Sequence, residues 1–328
     1  MGIGQRLKKM HSVKTRDIAA LGEAMLEFNQ TQAEPPLYLQ GFGGDTSNAA
    51  IAAARAGARV AYLSRVGIDR WGDRLMDLWQ RENVDTTTVL RDEQAATGIY
   101  FVSHDAKGHH FSYARAGSAA SRMQPSDLTQ HWSEVIAHSH WLHVSGISLA
   151  ISASACDTAF TAMQHARHMG TRVAFDSNLR LSLWPLARAQ ACIRHAVSLC
   201  DLFLPSLEDM TALTGLSQAQ DIIAWSHAQG AAQVVLKLGA DGALASDGHK
   251  LHVVSGHSVQ CVDATGAGDC FAGNLLTRLA AGDDLSIATT YANAAAALSV
   301  QGYGAVAPLP SREAVLKLLP HSSNAVNP

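Results

Sequence analysis

The run Val262-Asp263-Ala264-Thr265-Gly266-Ala267-Gly268-Asp269-Cys270-Phe271-Ala272-Gly273 gathers residue types that bind anions and move protons. Small residues at 266 to 268 let the backbone approach a ligand closely, and their N–H groups can converge on one point. A helical stretch, Cys270 to Ala280, follows and adds its positive N-terminal end. The chemistry offered is a phosphate site. Asp269 stands at its mouth, where a bound anion would repel a carboxylate, so its presence needs a reason. Two roles are open: it caps the helix, or it accepts the proton of an attacking hydroxyl. A dinucleotide-binding loop does not fit, because that loop follows the first strand of a βαβ unit and this one lies near the C-terminal end.

The elements that must carry this loop are legible as alternating short apolar runs and helical segments. Ile18–Leu21, Val60–Leu63, Trp141–Val144, Arg172–Phe175, Leu202–Leu204 and Gln233–Leu236 read as strands buried on both faces. Val253-Val254 and Ser258-Val259, ahead of the glycine loop, have β-type residues as well. Thr46–Ala56, Asp73–Glu82, Ala153–Met169, Ala187–Cys200, Asp209–Thr214 and Ala219–Gln229 read as helices. Repeated βα units predict a mostly parallel sheet with helices on both faces. Residues 25–40 and 97–115 break the rhythm. Their aromatic-containing strand patterns predict a small lid built from two separated pieces of chain. The expectation is one domain over residues 1–328 with a discontinuous lid.

Bulk composition narrows the class. Of 328 residues, 47% are hydrophobic and only 16% charged, which argues against disorder. A net charge of −3 leaves no footprint for nucleic acid. The five cysteines form no C-x-x-C pair and suit free thiols. Neither His109-His110 nor His138 with His140 has a second ligand cluster nearby, so they read as ordinary surface or core histidines. The basic, polar N-terminal segment lacks the apolar core of a secretory signal, and no stretch is long and apolar enough for a membrane helix. The expected location is the cytoplasm, with no membrane partner.

Asp263 to Gly273 resembles the C-terminal signature of the pfkB, or ribokinase-like, carbohydrate kinases. A second run, Gly41-Phe42-Gly43-Gly44-Asp45-Thr46-Ser47-Asn48-Ala49-Ala50, resembles their N-terminal signature; taken alone, its glycines could be only a turn before a helix. The resemblance extends from about Ile18 to Pro308. It implies a three-layer αβα ribokinase-like fold with a small β-sheet lid. It implies transfer of the ATP γ-phosphate to a sugar hydroxyl, with Asp269 as the base and the Gly266, Ala267 and Gly268 amides as the anion hole. It sets Gly43, Gly44 and Asn48 against the sugar.

Phe111–Ala120 and Asp176–Trp184 resemble the 2-keto-3-deoxygluconate kinase branch, as do Gly146–Leu149 and Leu204–Asp209. That branch implies substrate contacts from Tyr100, Tyr113, Arg115 and Arg180 and phosphorylation of a 6-hydroxyl. The chemistry agrees. A neutral sugar needs hydroxyl partners, whereas a sugar acid needs a cation, and arginine offers planar, bidentate hydrogen bonding. A sugar phosphate would attract the arginines equally. Arg115 could otherwise be a solvated lid residue, and Arg180 an ion-pair partner of Asp176.

On the nucleotide side the resemblance points to Ser206, Lys237, Gly239, Gly242, Gly266, Gly268 and Asn293. Many relatives carry Asn-x-x-Glu near the phosphates; here Ser206-Leu207-Glu208-Asp209 stands there, which leaves Asp209 as the carboxylate for a Mg²⁺ contact through water. Asp263 is the position for a monovalent cation such as K⁺. At the family level the resemblance also carries the expectation of a homo-oligomer formed through a partly apolar lid. The alternatives are a kinase of a neutral sugar such as fructose or ribose, and a non-catalytic sugar or nucleotide sensor on the same fold. An intact Gly-Ala-Gly-Asp loop argues against the sensor.

Overall fold

The computed structural model describes residues 13–105 and 108–319. The basic N-terminal segment up to residue 12 lies outside the described residues, as do the side chains at 104–109, His109 among them. The strands are β1 (Arg16–Leu21), β2 (Met25–Gln32), β3 (Leu37–Gly43), β4 (Val60–Gly67), β5 (Val84–Asp85), β6 (Val89–Asp92), β7 (Ile99–Asp105), β8 (Gly108–Ala114), β9 (Ser139–Ser145), β10 (Arg172–Asp176), β11 (Leu202–Leu204), β12 (Gln233–Lys237), β13 (Gly242–Ser246) and β14 (Leu251–Ser255). The α-helices are α1 (Asp45–Arg55), α2 (Arg70–Arg81), α3 (Gln130–Ala137), α4 (Gly146–Ala150), α5 (Ala153–His168), α6 (Leu186–Leu199), α7 (Leu207–Thr214), α8 (Ala219–Ala228), α9 (Ala267–Ala280), α10 (Leu285–Ser299) and α11 (Arg312–Leu318).

Ten strands form the main sheet in the order β14-β13-β12-β11-β10-β9-β1-β4-β5, with β6 pairing further along β4. From β12 to β5 the neighbours run parallel. The alternation of β1 shows why three layers result. Ile18 and Ala20 face a core made with α1, α2, α9 and α10, while Ala19 and Leu21 face a core made with α3, α5, α6 and α8. Every one of these β1 residues is buried. Both faces of the strand are therefore apolar, as a parallel strand between helix layers requires.

The repeating βα pattern stops short of one edge. β13 and β14 run antiparallel to their neighbours and close the sheet as hairpins. Gly242 opens β13 at φ 101°, and a Cβ there would lie 2.1 Å from the Val254 carbonyl oxygen. Ser258-Val259 is not a strand: β14 ends at Ser255 and the chain leaves the edge toward the glycine loop. The second helix begins at Arg70, three residues before its expected start, because Asp69 caps it by accepting from the amides of Trp71 and Gly72.

A separate four-stranded sheet, β3-β2-β7-β8, comes from two stretches of chain. Gly41, Glu27, Tyr100 and Tyr113 fall in one cross-strand row and so share a face. All five cysteines are free thiols. Among the described residues, no helix is long and apolar enough to cross a membrane.

Candidate functional site

The C-terminal ends of the parallel strands converge on one cavity of about 760 Å³, the position at which open α/β sheets hold their ligands. Asp176 ends β10, Ser206 follows β11, and Lys237 ends β12. The inner face of the small sheet supplies Tyr100 and Tyr113, and the start of α9 supplies the floor beneath them.

The glycine loop is built as a helix start. Gly266 is the N-cap of α9 at φ 76°, a left-handed conformation in which a side chain would also press on Ala305. Among the described residues, the amides of Gly266 and Gly268 donate to no protein acceptor; the Ala267 amide donates to the Ala264 carbonyl at 3.2 Å. Free amides at a helix start form an anion site. Lys237 Nζ overhangs it, 3.5 Å from where a Cβ on Gly268 would lie.

Asp269 does not cap α9. Its Oδ2 accepts from Asn48 Nδ2 at 2.8 Å, across 221 residues of sequence. Burial, with the Asp45 carboxylate as the next cause, holds its carboxyl up at about 8. Asp176 also raises it, whereas the Asn48 hydrogen bond and Lys237 pull it down. A carboxyl group raised in this way suits proton acceptance near neutral pH.

The expected residues divide. Gly44, Asn48, Tyr100, Tyr113, Arg115, Arg180, Ser206, Asp209, Lys237, Gly239 and the residues 266–269 all border the cavity. Gly43 lies just behind it, where a Cβ would fall 2.2 Å from the Tyr100 hydroxyl oxygen. Gly242 and Asn293 are not on the wall: Gly242 belongs to the sheet edge, and Asn293 Nδ2 ties α10 to the Ser255 carbonyl at 2.8 Å. Asp263 borders a different cavity. Its Oδ1 accepts from the Thr265 amide and hydroxyl within its own loop, and its Oδ2 accepts from the Gly304 amide, which ties that loop to the segment after α10.

Side-chain partners refine the picture. Arg115 is ion-paired with the buried Glu23, whose other oxygen accepts from Ser118. Burial pushes the Glu23 carboxyl up, against the pull of Arg115. Arg180 makes no ion pair among the described residues and donates to the Leu179 carbonyl at 2.8 Å. Asp176 pairs with Lys237 at 2.5 Å rather than with Arg180. Tyr100 donates to Glu27, its neighbour in the same cross-strand row. Ser206 caps α7 by accepting from the Asp209 amide. Asp209 Oδ2 accepts from Ser177 Oγ at 2.7 Å and from the Leu179 amide at 3.1 Å, which fixes the loop bearing Asn178 and Arg180.

Glu23, Asp45, Asp176 and Asn178 are polar wall residues to which the sequence alone assigns no substrate contact. Asp176 ends β10, Glu23 stands in the turn between β1 and β2, and Asp45 follows a glycine pair. Those positions were the available signal. Among the described residues, no cluster of three or more His, Cys, Asp or Glu could hold a metal.

Comparison with known proteins adds the lineage. Residues 15–312 match the model of the pfkB family carbohydrate kinases. The chain is 31% identical over 305 residues to 2-dehydro-3-deoxygluconokinase of Escherichia coli K12, covering 90% of this chain and 98% of that one. It is 32% identical over 280 residues to a fructokinase of Escherichia coli, covering 83% and 89%. A crystal structure of Vibrio cholerae fructokinase with fructose, ADP and calcium superposes with a TM-score of 0.83 at 30% identity, covering 92% of this chain and 98% of that one. The signatures, the three-layer fold and these likenesses agree: the chain belongs to the pfkB family of carbohydrate kinases and is a sugar kinase.

Proposed function

We propose that this kinase transfers the γ-phosphate of ATP to the 6-hydroxyl of 2-keto-3-deoxygluconate. Asp269 takes the proton of that hydroxyl as it attacks. The free amides at the start of α9 and the Lys237 ammonium stabilise the charge that develops on the transferred group. The four-stranded sheet acts as the lid that keeps water from the phosphate. The observation that carries the acid-sugar reading is Arg180, a cavity residue whose guanidinium has no carboxylate partner among the described residues. A bound carboxylate would supply one. Six relatives at 31–33% identity that are named 2-dehydro-3-deoxygluconokinase support the same substrate class.

Mg²⁺, when bound, would supply positive charge to offset that of the phosphates. Such an ion takes most of its ligands from phosphate and water and asks the protein for one or two carboxylates. Asp209 and Glu208 are the wall carboxylates that would hold it. A monovalent ion at Asp263 would share its carboxylate with the Thr265 and Gly304 donors already on both oxygens.

A neutral ketose is the second reading. It is favoured by the Arg115–Glu23 pair, which already balances one of the two arginine charges, and by the fructokinase likeness. ADP release with Mg-ATP across 2-keto-3-deoxygluconate, its galactonate epimer, fructose, ribose and fructose 6-phosphate decides between them. Preference for the keto-deoxy acids is expected; preference for fructose or ribose would overturn the substrate and leave the kinase.

Arg180→Ala separates the readings at one residue. It should raise KM for the acid sugar about tenfold to a hundredfold, the range for a hydrogen bond to a charged group. KM for fructose should change little. Equal losses on both would mark Arg180 as structural.

A further inference from the structure

Asp45 lies in the first turn of α1 and Asn48 one turn further on, so the two share a face of that helix, and both border the cavity. They are 7% and 4% exposed. Each has one side-chain atom in use. Asp45 Oδ2 accepts from Asn178 Nδ2 at 3.0 Å, and Asn48 Nδ2 donates to Asp269 Oδ2 at 2.8 Å. Their remaining oxygens, Asp45 Oδ1 and Asn48 Oδ1, are buried without a donor. A buried acceptor is rarely left unpaired, and an unpaired one in a native structure asks for an explanation. Two of them on one helix face, beside the base, define a position that takes hydroxyl donors and rejects an anion.

The holder of Asp45 is itself held. Asn178 stands at φ 25°, in the left-handed region that asparagine tolerates better than most residues. Its amide donates to Asp176 Oδ1 at 3.1 Å, and Asp176 pairs with Lys237. The carboxylate of Asp45 is therefore positioned by a chain of contacts reaching from the Lys237 side of the cavity.

We propose that Asp45 is a specificity-determining residue whose Oδ1, together with Asn48 Oδ1, accepts secondary hydroxyls of the sugar next to the one phosphorylated. This rests on the reading of the cavity as the sugar site. It adds an orientation rule: the hydroxyl-bearing end of the substrate lies against Asp45 and Asp269, and its carboxylate, repelled there, lies toward Arg180.

The test compares wild type with Asp45→Asn on 2-keto-3-deoxygluconate and on its analogues lacking the 4- or the 5-hydroxyl. Loss of one of those hydroxyls should cost wild type about tenfold or more in kcat/KM, and should cost Asp45→Asn far less. A second readout is the acid limb of kcat/KM against pH. The groups facing Asp269 are Asp45 from α1, Asp176 from β10, Lys237 from β12 and the Tyr100 phenol from β7. Asp45→Asn removes one like charge from this set, so the limb should move to lower pH. Equal hydroxyl penalties in both proteins, or an unmoved limb, would overturn the proposal. If Asp45→Asn does not fold, Asn178→Gly keeps the left-handed backbone and removes the donor to Asp45; it should lose part of the same discrimination, and full retention would count against Asp45. Should fructose prove the better substrate, the acid-sugar reading fails, and the same comparison with deoxyfructoses still decides on Asp45. Near-normal turnover by Asp269→Asn would remove the site reading and this inference with it.

Discussion

Asp269→Asn is expected to lower kcat about a hundredfold to ten-thousandfold, the usual worth of a positioned general base, while the KM for ATP stays near its wild-type value. The amide is nearly the same shape, and its oxygen can still accept from Asn48 Nδ2, which now meets Asp269 at 2.8 Å. Only the capacity to take a proton disappears. The pH dependence follows from the same residue. A base must be deprotonated to act, and burial with the Asp45 carboxylate holds Asp269 up at about 8. In wild type, kcat/KM should therefore fall as pH drops through that region and level off above it. Stability moves the other way. A carboxyl group whose folded pKa is raised favours the folded state below the ordinary carboxylate range, and this advantage is lost as pH rises through the folded value. Asp269→Asn has no such loss, so it should melt above wild type by a margin that grows from about pH 4 to about pH 8. Thermal melts at pH 4 and pH 9 read this directly. A variant that keeps normal turnover, or one that melts lower than wild type at pH 9, would show that Asp269 is not the strained, buried base.

What could be read from the sequence is what the chain specifies locally. The apolar runs that became β1, β4, β9, β10, β11 and β12 are visible because parallel strands between helix layers are apolar on both faces. The glycine loop and α9 are visible because small residues followed by a helix have few other uses. Local pattern fails where the determinant lies elsewhere in the chain. β13 runs antiparallel because it continues β12 through a tight turn, a connection with no crossover helix to announce it. Arg115 reads as a free cation until Glu23, 92 residues earlier, is brought against it. Lys237 reads as a nucleotide contact, and its partner Asp176 lies 61 residues before it. Asp45 is the clearest case. Its neighbours in sequence identify a helix start, and only the folded chain sets it beside Asp269 and Asn178.

The second large effect is expected from a residue with no side chain. Gly273→Ala should destabilise the protein by about 1–3 kcal/mol or more, the cost of overpacking a close contact, and should damage catalysis as well. α1 is an alanine-rich helix, and its small residues let α9 come close. A Cβ on Gly273 would lie 2.2 Å from the Ala49 carbonyl oxygen and 3.0 Å from the Ala53 nitrogen. Both are backbone atoms of a packed helix and cannot swing aside, so the helices must separate. Asn48 precedes Ala49 directly, and Asp269 lies one turn before Gly273. Separation therefore acts on the Asn48–Asp269 hydrogen bond itself. That bond pulls the Asp269 carboxyl down, against burial; losing it should move the acid limb of kcat/KM to higher pH, opposite in sign to the shift expected for Asp45→Asn. Gly57→Ala, beyond the far end of α1, is the control. A Cβ there meets nothing within 4 Å, but φ is 99°, so the substitution is strained without touching α9. It should lower the melting temperature and leave the pH profile in place. If Gly273→Ala loses stability with an unshifted profile, the two helices set the fold without setting the base; if the limb moves as expected, their close packing is what holds Asp269 in tune.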